Sequence, residues 1–191
     1  LTCLFWSPHT SPLACTPARS AVTDTEREIR FDEQANISWA RKLEEAGVHV
    51  VYGIVGLKTH AKLLLATRKE GRHMVRYAHL STGNYNPRTA RLYTDLGLLT
   101  SNEDITADMD GVFSHLASQN RPPKLRQLML APFYLQQRML EKIAQVGEAA
   151  QAGQYARIVV TMNALTDEAL IHALIRAGQQ GAQIEDRKSV V

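Results

Sequence analysis

The hydrophobic pattern is clearest between residues 56 and 81, where two apolar stretches flank a polar one. Leu63, Leu64 and Leu65 follow a turn signal at Gly56, and they predict a strand over residues 56–67. Residues 67–72 are polar and contain Gly71, which is typical of a hairpin turn. Residues 74–81 are then predicted to return antiparallel. The pattern therefore predicts a β-hairpin in the first half of the chain.

Apolar residues at helical spacing predict helices on both sides of this hairpin. Asp32 is a good N-cap for the first helix and Gly47 ends it, Asn102 or Thr106 caps a later one, and Gly178 closes the last. Helices are predicted over residues 32–46, 87–92, 102–116, 133–146 and 167–177, and strands over residues 48–52, 96–100, 128–132 and 156–162. The fold class is therefore α/β, an α+β mixed sheet with flanking helices.

Composition narrows the class of protein but does not decide its function. The 191 residues are 45% hydrophobic and 21% charged, which is ordinary for a soluble globular protein. The net charge of +3 is compatible with a polyanionic substrate. The two cysteines lie within the first fifteen residues, so we expect no disulfide framework and a reducing cytosol. No apolar run approaches the ~20 residues of a membrane span.

The candidate chemistry lies on the predicted hairpin. If residues 56–67 form a strand, His60 and Lys62 project from the same face about 7 Å apart. An imidazole can attack phosphorus while a fixed ammonium holds the phosphate. A lone histidine in an apolar strand is more often a core residue with satisfied hydrogen bonds. A lysine on the same buried face is costly, however, and therefore favours a functional role. The Gly-Asn-Tyr-Asn loop at residues 83–86 can present the amides of Asn84 and Asn86 to an anion.

These motifs carry a resemblance to a known family. A His-x-Lys followed some twenty residues later by Gly-Asn-x-Asn is similar to the phospholipase D superfamily. That superfamily usually has an aspartate five residues after the lysine, where this chain has Thr67. The longer text over residues 56–62, 76–79, 81–86 and 89–95 resembles polyphosphate kinase, of the type that synthesises long chains and has phospholipase D-like C-terminal domains. The resemblance covers roughly residues 29–184.

The resemblance implies a phosphohistidine mechanism. His60 would take the γ-phosphate of ATP and pass it reversibly to polyphosphate, with Lys62, Asn84 and Asn86 as anion contacts. Tyr93 would contact the nucleotide. Arg30, at the entrance of the first helix, would bind magnesium-associated phosphate, so Mg²⁺ is the implied cofactor.

The resemblance also implies the partners and the setting of the whole enzyme. The expected partners are ATP, ADP and polyphosphate, with no nucleic acid. The full-length enzyme is expected to be a homo-oligomer. Its expected location is the cytoplasm, with association at a membrane surface as an alternative.

The expected domain organisation follows the resemblance and the punctuation at residues 120–124. Residues 29–119 would form part of the first phospholipase D-like catalytic domain, 120–125 the linker, and 126–185 the start of a second, truncated domain. Residues 1–28 stay unassigned, expected to be disordered or out of frame, and residues 186–191 read as a tail outside the family.

Two alternative functions stay open at this point. A phospholipase D-like phosphodiesterase or nuclease also uses His-x-Lys, although Thr67 in place of aspartate argues against it. The other alternative is a truncated fragment that catalyses nothing by itself, because the resembled enzyme has further regions on both sides.

Overall fold

A computed structural model of the chain describes residues 20–22, 33–51, 53–54, 56–57, 59–118, 121, 123–162 and 164–188. Its helices and strands, numbered here in chain order, are β1 (Ser20–Val22), α1 (Glu33–Glu45), β2 (His49–Val51), β3 (Lys62–Glu70), β4 (His73–Ser81), β5 (Gly97–Thr100), α2 (Glu103–Ser118), α3 (Leu135–Gln151), β6 (Arg157–Met162), α4 (Glu168–Gln179) and β7 (Gln183–Lys188). A short 3₁₀ turn covers Thr89–Arg91. The chain divides into two compact units, Leu1–Leu128 and Met129–Val191.

The first unit contains the predicted hairpin. β3, β4 and β5 form a three-stranded antiparallel sheet in that order, and β1 pairs in parallel with β2. Leu65 and Ala78 are opposite each other in the β3–β4 register, and both are buried against Met109 of α2. The alternation of side chains along the strands therefore places one face of the hairpin in a core and leaves the other outside it.

The second unit is a separate βαβ arrangement preceded by a helix. β6 and β7 pair in parallel, α4 connects them, and α3 packs against α4. The core of this unit consists of Ile143, Ala156, Ala173, Leu174, Ala177 and Ala182. Asp167 is the N-cap of α4, since its Oδ1 accepts a hydrogen bond from Leu170 N at 3.0 Å.

Local signals at the helix ends were predicted with mixed success. Asn102 caps α2, because its Oδ1 accepts from Ile105 N at 3.1 Å, whereas Thr106 lies inside the helix. Gly47 ends α1 with a φ of 79°, as predicted. Gly178 does not close α4: the helix continues to Gln179, and the left-handed residue after it is Gly181. The predicted cap Asp32 lies outside the described residues.

The strand prediction for residues 128–132 is wrong. The N–H of Leu128 donates to Asp108 Oδ2 at 2.9 Å, and the carbonyl of Leu130 accepts from Tyr134 N at 2.8 Å and from Leu135 N at 3.2 Å. The backbone groups that a strand would use are therefore hydrogen-bonded to a distant carboxylate and within the turn that begins α3. A short apolar run cannot reveal such partners.

The start of β3 also differs from the prediction. The strand begins at Lys62, so His60 lies in the loop before it. Lys62 pairs with Ser81, the last residue of β4, and Thr82 N then donates to Leu96 O on the other side. No β4 residue therefore continues the ladder toward His60. The strand runs on to Glu70, which shortens the predicted polar turn to Gly71 and Arg72.

Two further outcomes concern the ends of the chain. β1 lies within residues 1–28, for which the sequence pattern predicts no strand. β7 extends through Lys188, and its register pairs Val160 with Asp186. In the part of the chain that the structure describes, no helix is long and apolar enough to cross a membrane.

Candidate active site

His60 and Lys62 are in direct contact at the start of β3. The Nζ atom of Lys62 lies 3.0 Å from His60 Nε2 and donates to the His60 carbonyl at 3.0 Å. Because an ammonium group can only donate, Nε2 of His60 accepts this hydrogen bond and is the unprotonated ring nitrogen. The predicted separation of about 7 Å along a strand is replaced by contact, since His60 is outside the strand.

The two side chains differ sharply in burial. Lys62 has only 3% of its surface exposed, whereas His60 is exposed. A buried ammonium is costly unless hydrogen-bond acceptors or an anion compensate its lost hydration. The contacts of Lys62 with His60 supply acceptors, and the position of the lysine beside a cavity leaves room for an anion.

A cavity of about 600 Å³ adjoins this pair. Its volume is within the range of small-molecule sites. It is lined by His60, Ala61, Lys62, Leu63, Leu80, Ser81, Thr82, Leu96, Gly97 and Leu98. One part of the lining is therefore basic and hydroxylic, and most of the remainder is leucine. Such a lining suits a ligand with an anionic group and an apolar part.

The Gly-Asn-Tyr-Asn loop follows β4 directly. Asn84 is half-buried, and Asn86 Oδ1 accepts from Arg88 N at 2.9 Å, which starts the 3₁₀ turn. Tyr85 contacts His79, with its hydroxyl 2.7 Å from His79 Nδ1. Burial raises the pKa of Tyr85 above its ordinary value. The tyrosine therefore keeps its proton at neutral pH.

The other predicted site residues that the structure describes do not line the cavity. Of the described residues, those that line the cavity include neither Asn84, Asn86 nor Tyr93. Tyr93 is 44% exposed. Arg30 lies outside the described residues. Of the predicted residues that the structure describes, His60 and Lys62 are the two that line the cavity.

Three polar residues at or beside the cavity are not among the predicted site residues. Ser81 and Thr82 line the cavity, and Asp95 contacts Thr82 through a hydrogen bond of 3.0 Å. All three lie within the stretches that carry the family resemblance, but nothing in their spacing indicated a role. Their roles depend on the pairing of β4 with β5, which sequence does not specify.

The cavity lining does not fit a magnesium ion held by the protein. Mg²⁺ prefers oxygen ligands, carboxylates above all, and this lining offers an imidazole, an ammonium and two hydroxyls. Among the described residues, no group of three or more His, Cys, Asp or Glu side chains could hold a metal ion.

Comparison with known proteins identifies the family. The family model described as "Polyphosphate kinase C-terminal domain 1" matches residues 14–122, and "Polyphosphate kinase C-terminal domain 2" matches residues 128–186. The chain belongs to the polyphosphate kinase family. The match begins at residue 14, ahead of residue 29, where sequence analysis placed the start of the resemblance.

Individual members of the polyphosphate kinase family agree with this assignment. The chain is 49% identical over 172 residues to a polyphosphate kinase of Mycolicibacterium gilvum, covering 90% of this chain and 24% of that protein. It is 45% identical over 172 residues to a polyphosphate kinase of Streptomyces coelicolor, covering 90% of this chain and 23% of that protein. The chain thus spans about a quarter of the length of these curated relatives.

A solved structure confirms the predicted fold class. The crystal structure of the polyphosphate kinase from Porphyromonas gingivalis matches with a TM-score of 0.74 and 31% identity. The match covers 88% of this chain and 28% of that one. The predicted family and the mixed α/β fold are therefore both confirmed, and the alternative of a phospholipase D-like phosphodiesterase is not favoured.

Proposed function

We propose that this chain is the portion of a polyphosphate kinase that carries the phosphorylated histidine. The supporting observation is the 3.0 Å contact between His60 Nε2 and Lys62 Nζ at the edge of the cavity. The reaction is the reversible transfer of the ATP γ-phosphate to polyphosphate. The names of the relatives support the substrate class, and the geometry supports the choice of nucleophile.

The first half-reaction forms a phosphohistidine. A cation at 3.0 Å favours the uncharged imidazole, which is the form with a lone pair on Nε2. The Nε2 lone pair attacks the γ-phosphorus, the bond from that phosphorus to the bridging oxygen breaks, and ADP leaves with the electron pair. Lys62 exchanges its Nε2 contact for a phosphoryl oxygen as the new bond forms.

The second half-reaction regenerates the imidazole. A terminal phosphate oxygen of polyphosphate attacks the phosphorus, the phosphorus–nitrogen bond breaks, and the lone pair returns to Nε2. Attack by the terminal phosphate of ADP on the phosphohistidine reverses the first half-reaction. Since the protein forms few covalent bonds, positioning and charge neutralisation provide most of the rate.

The surroundings of Lys62 strengthen its attraction for phosphate. Leu63, Leu80, Leu96 and Leu98 form much of the cavity wall. An ion pair in such partly apolar surroundings is stronger than the same pair in bulk water. The buried ammonium is also fixed in place by the His60 carbonyl, so little ordering is needed when the phosphate binds.

The other components of the proposal come from the family resemblance. Asn84 and Asn86 are proposed anion contacts, Tyr93 a nucleotide contact and Arg30 a contact to magnesium-associated phosphate. Mg²⁺ enters the proposal only as a counter-ion on the nucleotide. The whole enzyme is proposed to be a cytoplasmic homo-oligomer that binds no nucleic acid.

The proposed domain organisation keeps a linker at residues 120–125. Residues 29–119 form most of the catalytic domain, and residues 126–185 begin the second one. The compact units divide after Leu128, and the two family matches leave residues 123–127 between them. In this proposal no role is assigned to residues 1–28 and 186–191, although β1 and β7 reach into them, and the isolated chain is inactive.

Phosphoenzyme labelling tests the proposal. We expect the full-length protein that carries this chain to take an acid-labile label from [γ-³²P]ATP, and His60→Ala to abolish it. His73→Ala is the matched control, because His73 is an exposed histidine at the other end of the hairpin. Acid-labile labelling that persists in His60→Ala would overturn the assignment.

A further inference from the structure

Thr82 makes three hydrogen bonds to the two residues that precede β5. Its N–H donates to Leu96 O at 3.0 Å, and its Oγ1 accepts from Leu96 N at 3.0 Å. The hydroxyl then donates to Asp95 Oδ1 at 3.0 Å. Because Oγ1 acts as donor and acceptor at once, its orientation is fixed. We call the hydrogen bond from the Thr82 hydroxyl to the Asp95 carboxylate the Thr82–Asp95 clasp.

The clasp also fixes the residue that follows it. A Cβ atom on Gly83 would overlap the Asp95 carboxylate and would lie 2.9 Å from Asp95 Cβ. The N–H of Gly83 donates to Ser81 Oγ at 3.0 Å. The backbone of Gly83 is therefore packed directly against Asp95, and only glycine fits there without displacement.

The loop after the clasp is anchored at its other end as well. Tyr85 contacts His79 at 2.7 Å, and Asn86 Oδ1 accepts from Arg88 N. Asn84 lies between these anchors. Ser81, at the start of the loop, is the register partner of Lys62. The clasp is therefore the connection between the loop and the strand edge beside the cavity.

We propose that Thr82 and Asp95 are positioning residues, whose hydrogen bond holds the loop of residues 83–86 and the cavity rim in register with His60 and Lys62. The inference rests on the proposed phosphotransferase function. Asp95 acts here as a hydrogen-bond acceptor for Thr82, and its charge is not required. Thr82 and Leu96 are themselves part of the cavity lining, so a shift of the clasp moves the cavity wall directly.

Paired substitutions separate the hydrogen bond from shape and from charge. Thr82→Val keeps the shape and removes the hydroxyl, whereas Thr82→Ser keeps the hydroxyl. Asp95→Ala removes the acceptor, whereas Asp95→Asn keeps an acceptor oxygen and removes the charge. In the full-length protein, we expect Thr82→Val and Asp95→Ala to lower kcat/KM for ATP by roughly 10- to 100-fold, mainly through KM. Thr82→Ser and Asp95→Asn should retain most of the activity.

Gly83 provides an independent measurement of the same contact. Gly83→Ala should lower kcat/KM in the native background, because its Cβ meets the Asp95 carboxylate. In the Asp95→Ala background the same change should cost less, since the carboxylate is gone and only the 2.9 Å approach to the Cβ of residue 95 remains. Thermal denaturation of each variant checks that the kinetic losses exceed any loss of folded protein.

Three outcomes would overturn the inference. Native kinetics in Thr82→Val would show that the hydroxyl is not needed, and a loss in Asp95→Asn equal to that in Asp95→Ala would show that the charge is. Equal costs of Gly83→Ala in both backgrounds would remove the steric argument. His60→Ala, labelled in parallel, separates the two proposals: loss of label with native Thr82→Val kinetics refutes the clasp alone. Label that persists in His60→Ala refutes the proposed function. The KM values for ATP of the Thr82 and Asp95 variants then test the clasp by themselves.

Discussion

Lys62 and Asp108 are two buried charged side chains of the same unit, and their surroundings differ. Asp108 lies on α2 with 6% of its surface exposed, and Lys62 on β3 has 3% exposed. The carboxylate of Asp108 accepts from the backbone N–H groups of three successive residues, Arg126, Gln127 and Leu128, at 2.7 to 3.0 Å. Lys62 instead contacts His60 and lines a cavity.

The comparison separates a structural charge from one that can serve a ligand. The partners of Asp108 are backbone groups fixed by the chain, so its hydrogen bonds fasten residues 126–128 to α2. The Nε2 partner of Lys62 is an exposed imidazole, and an entering phosphate could replace it as acceptor. Two charges of similar burial are thus distinguished by whether their partners can be exchanged.

The largest effect we expect is on activity, from Lys62→Met. Methionine has a similar volume but cannot hold a phosphate. Removal of one fixed donor from a site of developing negative charge typically costs about 10²–10³ in rate. We therefore expect phosphoenzyme formation from ATP to slow by that factor, measured by rapid quench. Folding stability should change little, because an apolar group replaces a buried charge.

Lys69→Met is the matched control for this variant. Lys69 lies on the same strand but is exposed. The control should phosphorylate at the native rate. A slowing in Lys69→Met equal to that in Lys62→Met would attribute the loss to net charge, and a native rate in Lys62→Met would remove the lysine from the mechanism.

The second effect is on stability, from Asp108→Ala. The substitution leaves three backbone N–H groups without their acceptor, at a cost of about 1–3 kcal/mol for each group that stays buried. Since water can reach some of these N–H groups after local opening, we expect the free energy of unfolding to fall by about 3 kcal/mol in total. Hydrogen exchange should show lost protection at Arg126, Gln127 and Leu128. Unchanged protection there would mean that the carboxylate does not hold this segment.

Prediction from the sequence succeeded where neighbouring residues decide the structure. The leucines at residues 63–65 and the turn at Gly71 predicted the hairpin, and Asn102 was one of two predicted caps for α2. It failed where a partner is distant in the chain. The carboxylate of Asp108 accepts from backbone N–H donors 18 to 20 residues away, and that pairing prevents the strand predicted at residues 128–132.

The candidate site shows the same division. The two residues of the His-x-Lys motif were predicted together, because they are separated by only one residue. The prediction misjudged their geometry, since it assumed a strand through His60, and the ladder ends at the Lys62–Ser81 pair. Thr82 and Asp95 are 13 residues apart and meet only because β4 pairs with β5. No local pattern could have revealed that contact.

A smaller effect follows from the pKa of Asp108. Burial raises the pKa of its carboxyl, but the backbone donors and the charge of Arg126 lower it by more, so the net pKa is below the ordinary 3.8. A lowered folded-state pKa gives stability that is present above the unfolded-state pKa and is lost as the pH falls through the folded value. Asp108→Asn lacks this contribution at every pH.

We therefore compare the native protein with Asp108→Asn across pH by urea denaturation. The native protein should be more stable near pH 7, by on the order of 1–2 kcal/mol, because hydrogen bonds to a charged acceptor are stronger. The difference should shrink as the pH falls below about 4. A difference that stays constant down to pH 3 would show that ionisation of Asp108 contributes nothing.

The smallest effect is expected two residues further along α2. Arg76 Nη2 lies 3.1 Å from Asp110 Oδ2, and the two side chains are 38% and 50% exposed. Solvent screens such a pair, and exposed ion pairs contribute about 0.2–1 kcal/mol. We expect a coupling energy in that range from a double-mutant cycle with Arg76→Ala and Asp110→Ala, measured by urea denaturation at low salt. Because Asp110 and Asp108 lie on one helix, the cycle provides the exposed counterpart of the buried carboxylate. A coupling energy as large as the stability loss in Asp108→Ala would mean that an exposed carboxylate contributes as much as the buried one. The three backbone donors would then not explain the contribution of Asp108.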